Sequence, residues 1–395
     1  MTGIDIEQLK HRVCAAVDER AEKLRAAARE LHAHPELGFD EHHAHDVLTD
    51  LLEGDGLEVD RGAFGLPTAF RSRAGETGPS VAVLCEYDAL PGIGHACGHN
   101  VIGTAGVGAG LAAAAVASRA GGRVVILGTP AEEGGGGKQL MVDKGALEGV
   151  DAAMMIHPAD ADLTRMDTIA VHQLEVTYHG RASHAAAAPH LGRNALDAAV
   201  LGYLNVAALR QHIEPGERVH GIFTEAGTAA NVVPERAAAH WFVRSPLVAT
   251  LHPLKERVLA CLQAGADAAG CTMEHRWIYP PYDDMVDNPP MVDCYVANAA
   301  RLGRTVVDPS GAARVVGSTD MGNVSHLVPS IHPMIGVAPS GVSIHTEEFA
   351  TWTGSERADA AVLDGAKAMA MTIVDLWCRP DVLAAARSSF GDSVN

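Results

Sequence analysis

Between Ile6 and about His32 apolar residues return at helical spacing, at Leu9, Val13, Ala16, Val17, Leu24 and Leu31, and His42 to Leu52 repeats the pattern. Residues three or four apart share one face of a helix, so both segments predict helices with a single buried stripe. The rhythm then changes to short apolar runs at Ser80 to Cys85, Val124 to Leu127 and Ala152 to Ile156. Runs of this length without polar alternation predict strands buried on both faces. The apolar stretch after Asn100 and a segment from Lys138 to Leu147 separate them as helices. Strand and helix in alternation imply a mostly parallel sheet covered by helices.

From about Thr168 the pattern changes again. Leu174, Val176 and Tyr178 alternate as in a half-buried strand, and Asn194 to Gln211 reads as a helix. Two strand-like runs follow at Val219 to Thr224 and Arg236 to Val243, then a helix at Leu251 to Ala269 and a strand at Thr272 to Ile278. The order is βαββαβ, that of a ferredoxin-like layer of helices on an antiparallel sheet. Helix returns at Asp287 to Leu302, strand at Ile331 to Val337, and a long amphipathic helix at Arg357 to Trp377. The expected architecture is therefore α/β, with one domain built from residues 1–167 and 280–395 and a second, 168–279, inserted into it.

Composition narrows the range of functions. A chain of 395 residues exceeds one ordinary core, and 47% hydrophobic with 20% charged residues is a globular balance. A formal charge of −19 excludes nucleic acid and anionic membrane as partners held by bulk electrostatics, leaving small molecules and metal ions. Seven cysteines, an odd number without regular spacing, point to a reducing compartment, and the N-terminus MTGIDIEQLKHRV lacks an apolar signal region, so a cytoplasmic location is expected. The uncharged stretch Val101 to Ser118 is mostly Ala and Gly, which predicts a tightly packed core helix instead of a membrane span.

Candidate chemistry clusters at the junctions after the predicted strands. The stretch from Cys85 to Asn100, CEYDALPGIGHACGHN, holds Cys97 and His99 two apart, on one face of an extended segment. The pair suits a transition ion, and equally a small buried thiol beside a helix cap. In GTPAEEGGGGK, Gly128 to Lys138, a phosphate-loop reading fails because Glu132 and Gln139 stand where that motif needs Gly and Ser or Thr. What remains is the adjacent pair Glu132 and Glu133, either solvated loop charges or a ligand beside a base. His157 ends the run AAMMIH, and His345 lies in GVSIHTEEF. A histidine at one strand end is usually hydrogen-bonded filler, but four such groups at junctions of one sheet form a pattern.

Taken together, HACGHN, GTPAEEGGGGK, the His157-Pro158 pair, GRASHAAAAPHLGRNALDA and SGVSIHTEEF resemble the di-metal aminoacylase and carboxypeptidase family. The resemblance covers nearly the whole chain and lies in the amidohydrolase branch that includes hippurate hydrolase. The wording, with GSTDMGNVSHLVP, is closest to the aminobenzoyl-glutamate hydrolase and β-alanyl-lysine dipeptidase relatives. It implies that Cys97 bridges two divalent ions, with Glu133 and His345 on one and His99 and His157 on the other. Zinc is the first expectation, with manganese and cobalt as alternatives. Glu132 is then the general base acting on a water that the ions activate. Asp88 is implied behind a ligand histidine, and His95 is taken as structural. In the inserted domain His184 matches an oxyanion-stabilising histidine that often reaches across a dimer, Asn231 a substrate-binding asparagine, and Arg244 a grip for a substrate carboxylate. The residue after CGH is Asn100, where many members carry Asp. The implied enzyme is a homodimeric amidohydrolase, paired through the inserted lid domain, that cleaves an N-acyl amino acid or an unusual dipeptide. The alternatives are a dipeptidase or carboxypeptidase acting on free dipeptides, and a non-catalytic partner in a hetero-oligomer.

Overall fold

A computed structural model describes residues 5–309 and 316–394 of the chain, and twelve of the fourteen strands among them carry the description. The strands of the first unit are β1 (Val59–Arg61), β2 (Phe70–Ala74), β3 (Ser80–Cys85), β4 (Arg123–Gly128), β5 (Ala152–Met154) and β6 (His157–Ala159). Those of the second are β7 (Ala170–His179), β8 (Arg218–Glu225), β9 (Arg236–Ser245) and β10 (Thr272–Tyr282); β11 (Ser330–Ile331) and β12 (Met334–Gly336) return to the first. The division falls between Asp167 and Thr168 and between Asp284 and Met285.

The main sheet of the first unit has the order β1-β2-β4-β3-β5-β11. Its centre is parallel, with Val83 opposite Ile126 on one side and Met154 on the other. All six residues of β3 are buried, as an apolar run without alternation requires. On the far side of β4 the pairing is antiparallel, β2 to β4 and β1 to β2. The sheet is thus mixed: three of its five pairings are parallel, and β1 and β2 add an antiparallel arm. Those two strands are short and carry Asp60, Arg61, Arg71 and Arg73, so no apolar run announces them.

The helix His99–Ala114 is buried along almost its whole length. Its glycines explain its composition: a Cβ on Gly106 would lie 2.6 Å from Cys85 Sγ, and one on Gly110 2.4 Å from Ile126 Cδ1. Small residues let the helix lie directly on β3 and β4. Among the described residues no helix is long and apolar enough to cross a membrane. The expected first helix is broken at Arg20 into Ile6–Glu19 and Ala21–Ala33. The one expected from Lys138 to Leu147 is the short helix Gly137–Val142, closed by a turn with Gly145 at φ +85°. The strand expected at 152–156 gives way to two, β5 and β6, in different sheets.

The second unit runs β7, helix Ala195–Leu209, β8, β9, helix Val248–Ala268, β10, with sheet order β10-β7-β9-β8 and antiparallel neighbours throughout. Along β9 Ala237, Ala239, Trp241, Val243 and Ser245 are buried, while the residues between them are not, which puts one face of the sheet under the helices. The boundary expected at residue 279 falls inside β10, which continues to Tyr282. Pro280 and Pro281 lack the amide that a central strand needs, but β10 is an edge strand, and its register breaks between Ile278 and Tyr282.

Candidate metal centre

The carboxyl ends of the parallel strands gather the candidate donors, where open α/β sheets form their crevice. Glu86 and Asp88 follow β3, Glu132 and Glu133 follow β4, and His157 opens β6. His99 is the first residue of its helix, with Cys97 just before it, and His345 precedes the helix Glu347–Thr353. Cys97 Sγ lies 3.4 Å from His157 Nε2 and 3.2 Å from His345 Nε2. His345 Nε2 is in turn 3.3 Å from Glu133 Oε1. The donors form two trios, Cys97 with His99 and His157, and Cys97 with Glu133 and His345, each with its atoms within 4.8 Å of one another. Cys97 belongs to both. Cys97, His99, Glu132 and His157 are buried, whereas the His345 side chain is 48% exposed, so the cluster is sealed on one side and open on the other.

Hydrogen bonds fix which atoms face inward. His99 Nδ1 donates to Asp88 Oδ1 at 2.9 Å, and His157 Nδ1 donates to the Pro158 carbonyl at 2.8 Å. Each imidazole therefore turns its Nε2 toward the cluster, the atom that would meet a metal. Burial pushes His157 down to about 4, which keeps it neutral at ordinary pH. The other oxygen of Asp88 accepts from the Glu133 backbone N–H at 2.9 Å, so one carboxylate braces both trios. Burial works to raise Asp88, but His99 and these bonds hold it below the usual carboxylate range. Glu132 is pushed well up by burial and then by the charges of Glu86 and Glu133. The backbone is left-handed at Ala131, φ +56°, and at His345, φ +63°, strain held in part by hydrogen bonds of 2.8 Å from Ala131 N to Glu41 Oε1 and from His345 N to the Ala96 carbonyl.

One thiolate, three imidazoles and a carboxylate are a donor set that suits divalent transition ions. The buried His99 Nε2 has no hydrogen-bond partner, an orphaned atom that such an ion would take up. The residues present fit the group.

Several neighbours carried no role in the sequence. Lys138, 1% exposed, forms ion pairs with Asp320 and with Glu86 Oε1, the latter at 2.5 Å. Glu86 precedes Asp88 by two, the spacing that puts both on one face, and that was the signal available. His332 is fully buried with its ring 5.4 Å from that of His157. Among the described residues His95 joins none of the donor groupings; it is buried and stacks on His32 at 6.5 Å. Asn100 uses its amide to donate to the carbonyls of Ala28, 3.1 Å, and Thr353, 2.9 Å. A carboxylate there has no hydrogen to give, which accounts for Asn in place of Asp.

In the second unit His184 pairs by a β-bridge with Val232, next to Asn231, and the Asn231 carbonyl accepts from Ala185 N at 3.0 Å. His184 Nδ1 accepts from the backbone N–H groups of Ala186 and Ala187 at 3.2 and 3.1 Å, so its proton sits on the exposed Nε2. Arg244 stands near the carboxyl end of β9. It lies eight residues after Arg236 on β9, roughly 26 Å along the strand. It is half-buried, its guanidinium 5.4 Å from the Phe242 ring centre, and burial lowers its pKa.

The model of peptidase family M20/M25/M40 matches residues 82–375. The chain is 40% identical to the Xaa-Arg dipeptidase of Mus musculus, over 98% of this chain and 94% of that one. It is 34% identical to one of the subunits of the p-aminobenzoyl-glutamate hydrolase of Escherichia coli (strain K12), over 66% of this chain and 59% of that subunit. Its fold is similar to that of a dinuclear metal binding peptidase of the M20 family from Bacillus subtilis, with a TM-score of 0.70 at 21% identity over 91% and 99% of the two chains.

Proposed function

The chain belongs to peptidase family M20/M25/M40, hydrolytic enzymes of amide bonds, and from that premise we propose a di-metal amidohydrolase cleaving an N-acyl amino acid or an unusual dipeptide, of β-alanyl or aminobenzoyl-glutamate type. The observation that carries the reading is the pair of donor trios sharing Cys97. In this reading His99 and His157 would hold one ion and Glu133 and His345 the other, with Cys97 available to both. Zinc suits the thiolate and imidazoles best, with manganese and cobalt as alternatives. Two such ions supply Lewis-acid polarisation of the scissile carbonyl and a water acidified toward neutral pH.

The side chains do the rest. Glu132, kept protonatable by burial and by its acidic neighbours, takes the proton of the attacking water and hands it to the leaving amine. Glu133 is held in place through its backbone by Asp88, so two adjacent acids have separate tasks. His184, its Nε2–H fixed by two backbone donors on Nδ1, donates to the developing oxyanion, with Asn231 beside it on the substrate. Arg244 is assigned to a substrate carboxylate. The second unit serves as a ferredoxin-like lid and dimerisation domain. The exposed Val200, Leu201 and Leu204 on its first helix and Ile222 and Phe223 on the edge strand β8 support a homodimer. The spacing of the seven cysteines supports a reducing, cytoplasmic setting.

A second reading, a dipeptidase acting on free dipeptides, is favoured by the 40% identity to a Xaa-Arg dipeptidase. The test is a hydrolysis screen of N-acyl amino acids, β-alanyl dipeptides, aminobenzoyl-glutamate and free Xaa-Arg dipeptides, after chelation and reloading with zinc, manganese or cobalt. Turnover of free dipeptides alone selects the second reading. Absence of any metal-dependent turnover sinks both and leaves the non-catalytic partner alternative, which recovery on adding a second, unlike chain would support.

A further inference from the structure

Of the 21 histidines in the chain, five fall between His32 and His45, and two of these meet a carboxylate at the surface. Glu30 lies on the helix Ala21–Ala33, His34 caps its end, and His43 stands in the first turn of the helix His42–Gly54. His34 Nδ1 is 3.2 Å from Glu30 Oε1 and His43 Nε2 is 3.0 Å from the same oxygen, with the two rings edge to face at 4.9 Å. One donor atom from each of the three lies within 4.8 Å of the others. Donors around one transition ion stand roughly 3.4 Å apart for bonds of about 2.1 Å, so little movement separates this group from a coordination set. Without an ion the contacts are hydrogen bonds, and His34 Nδ1 also reaches the Glu30 carbonyl at 3.1 Å. A metal takes the place of such protons when it binds imidazole. The three side chains are 41–58% exposed, so an ion reaches them from solvent and keeps water in its remaining positions.

The backbone fixes the donors in place. His43 and Ala44 give their N–H groups to Glu36 Oε1 and Oε2 at 3.1 and 3.0 Å, which pins the start of the second helix. The His34 N–H donates to the Glu30 carbonyl at 3.1 Å and closes the first. Between the two ends the segment from Pro35 to Glu41 reaches inward: the Glu36 carbonyl accepts from Ala89 N at 2.7 Å, and Glu41 Oε1 from Ala131 N at 2.8 Å. We propose that Glu30, His34 and His43 form a further cation site, separate from the trios that share Cys97, which takes a divalent transition ion such as zinc or copper through two imidazoles and a carboxylate. The ion clips together the two ends of the segment whose middle holds the backbone next to Asp88 and Glu132. The proposal does not depend on the di-metal reading.

The full chain, without a polyhistidine tag, is stripped with a chelator and dialysed to equilibrium against a graded series of zinc or copper concentrations, and bound ion is counted by elemental analysis. The variant carrying both His34→Gln and His43→Gln is expected to bind one ion fewer per chain than the wild type. Glu30→Gln shifts the same binding step to higher concentration. With copper, the difference between the wild-type and double-variant paramagnetic resonance spectra carries the couplings of two imidazole nitrogens. His42→Gln, at an exposed neighbour outside the group, leaves the count unchanged. Equal counts in the wild type and the double variant overturn the proposal and leave the contacts as plain hydrogen bonds to Glu30. An equal loss in His42→Gln also overturns it, because any exposed imidazole then takes up the ion. Three ions in the wild type and two in the double variant support this site and the di-metal reading together. One ion and none support this site and sink the di-metal reading.

Discussion

Two lysines are buried in the first unit, and their surroundings are opposite in kind. Lys10, 7% exposed, donates to Asp375 Oδ2 at 2.6 Å and to Asn298 Oδ1 at 2.8 Å. Asn298 Nδ2 closes the ring onto Asp375, 2.9 Å, and Thr372 Oγ1, 3.2 Å. One buried cation meets one anion, which the part-exposed Arg379 also approaches at 3.8 Å, and the amide between them is used at both ends. Lys138 faces two carboxylates, Glu86 and Asp320, with Glu132 in the same acidic group. There the acids outnumber the lysine, and His99 Nε2 and Glu86 Oε2 lack hydrogen-bond partners. A closed network fixes the packing of helices Ile6–Glu19, Pro289–Arg301 and Glu356–Cys378 and asks for nothing further. An open one is costly in a buried setting unless something positive is added, so imbalance marks the place where the fold has been kept ready for ions.

This contrast predicts opposite phenotypes. The largest effect is expected from Glu132→Gln, which should lower kcat by about 10²- to 10⁴-fold while leaving ion content intact. Because it replaces a carboxyl that burial and its acidic neighbours already push well up, the melting temperature should hold or rise, and a clear drop by calorimetry would break the comparison. Lys10→Met takes the buried cation from Asp375, leaving it the Asn298 amide and Arg379 at 3.8 Å, and should cost about 1–3 kcal/mol of stability in urea melts, with ion content per folded chain unchanged. Asp88→Ala removes the brace on His99 and Glu133 and should weaken ion affinity about 10- to 100-fold by chelator competition, with little change in the urea midpoint. The smallest effect belongs to Asn100→Asp, which sets a carboxylate against two carbonyls beside a balanced packing region; about 2 kcal/mol is expected in the same melts.

Much of this was readable in the chain. The unbroken apolar run at Ser80 to Cys85 is β3 to the residue, because a strand buried on both faces has no polar position to blur its ends. The βαββαβ order of the second unit follows from alternation in β7 and β9, where one face is covered and the other is not. Strands β1 and β2 escaped because short edge strands rich in Arg and Asp carry no hydrophobic period. At the site, Cys97, His99, Glu133, His157 and His345 could be named from motifs, since metal-binding residue types are few. Glu86 and Lys138 could not, because acids and lysines are ordinary surface residues and only burial makes them exceptional.

The sequence by itself determined most of the helices and strands, and that a set of soft and hard donors follows the strands. Those properties are local, carried by period, length and residue type within a few positions. Only the tertiary structure decided that the central sheet has an antiparallel arm, that the two donor trios share one sulfur, and that Asp88 braces both. It alone set the surplus of acids around Lys138 against the balance around Lys10. Pairing between distant segments and the loss of water around a charge are collective, so no stretch of the chain encodes them alone.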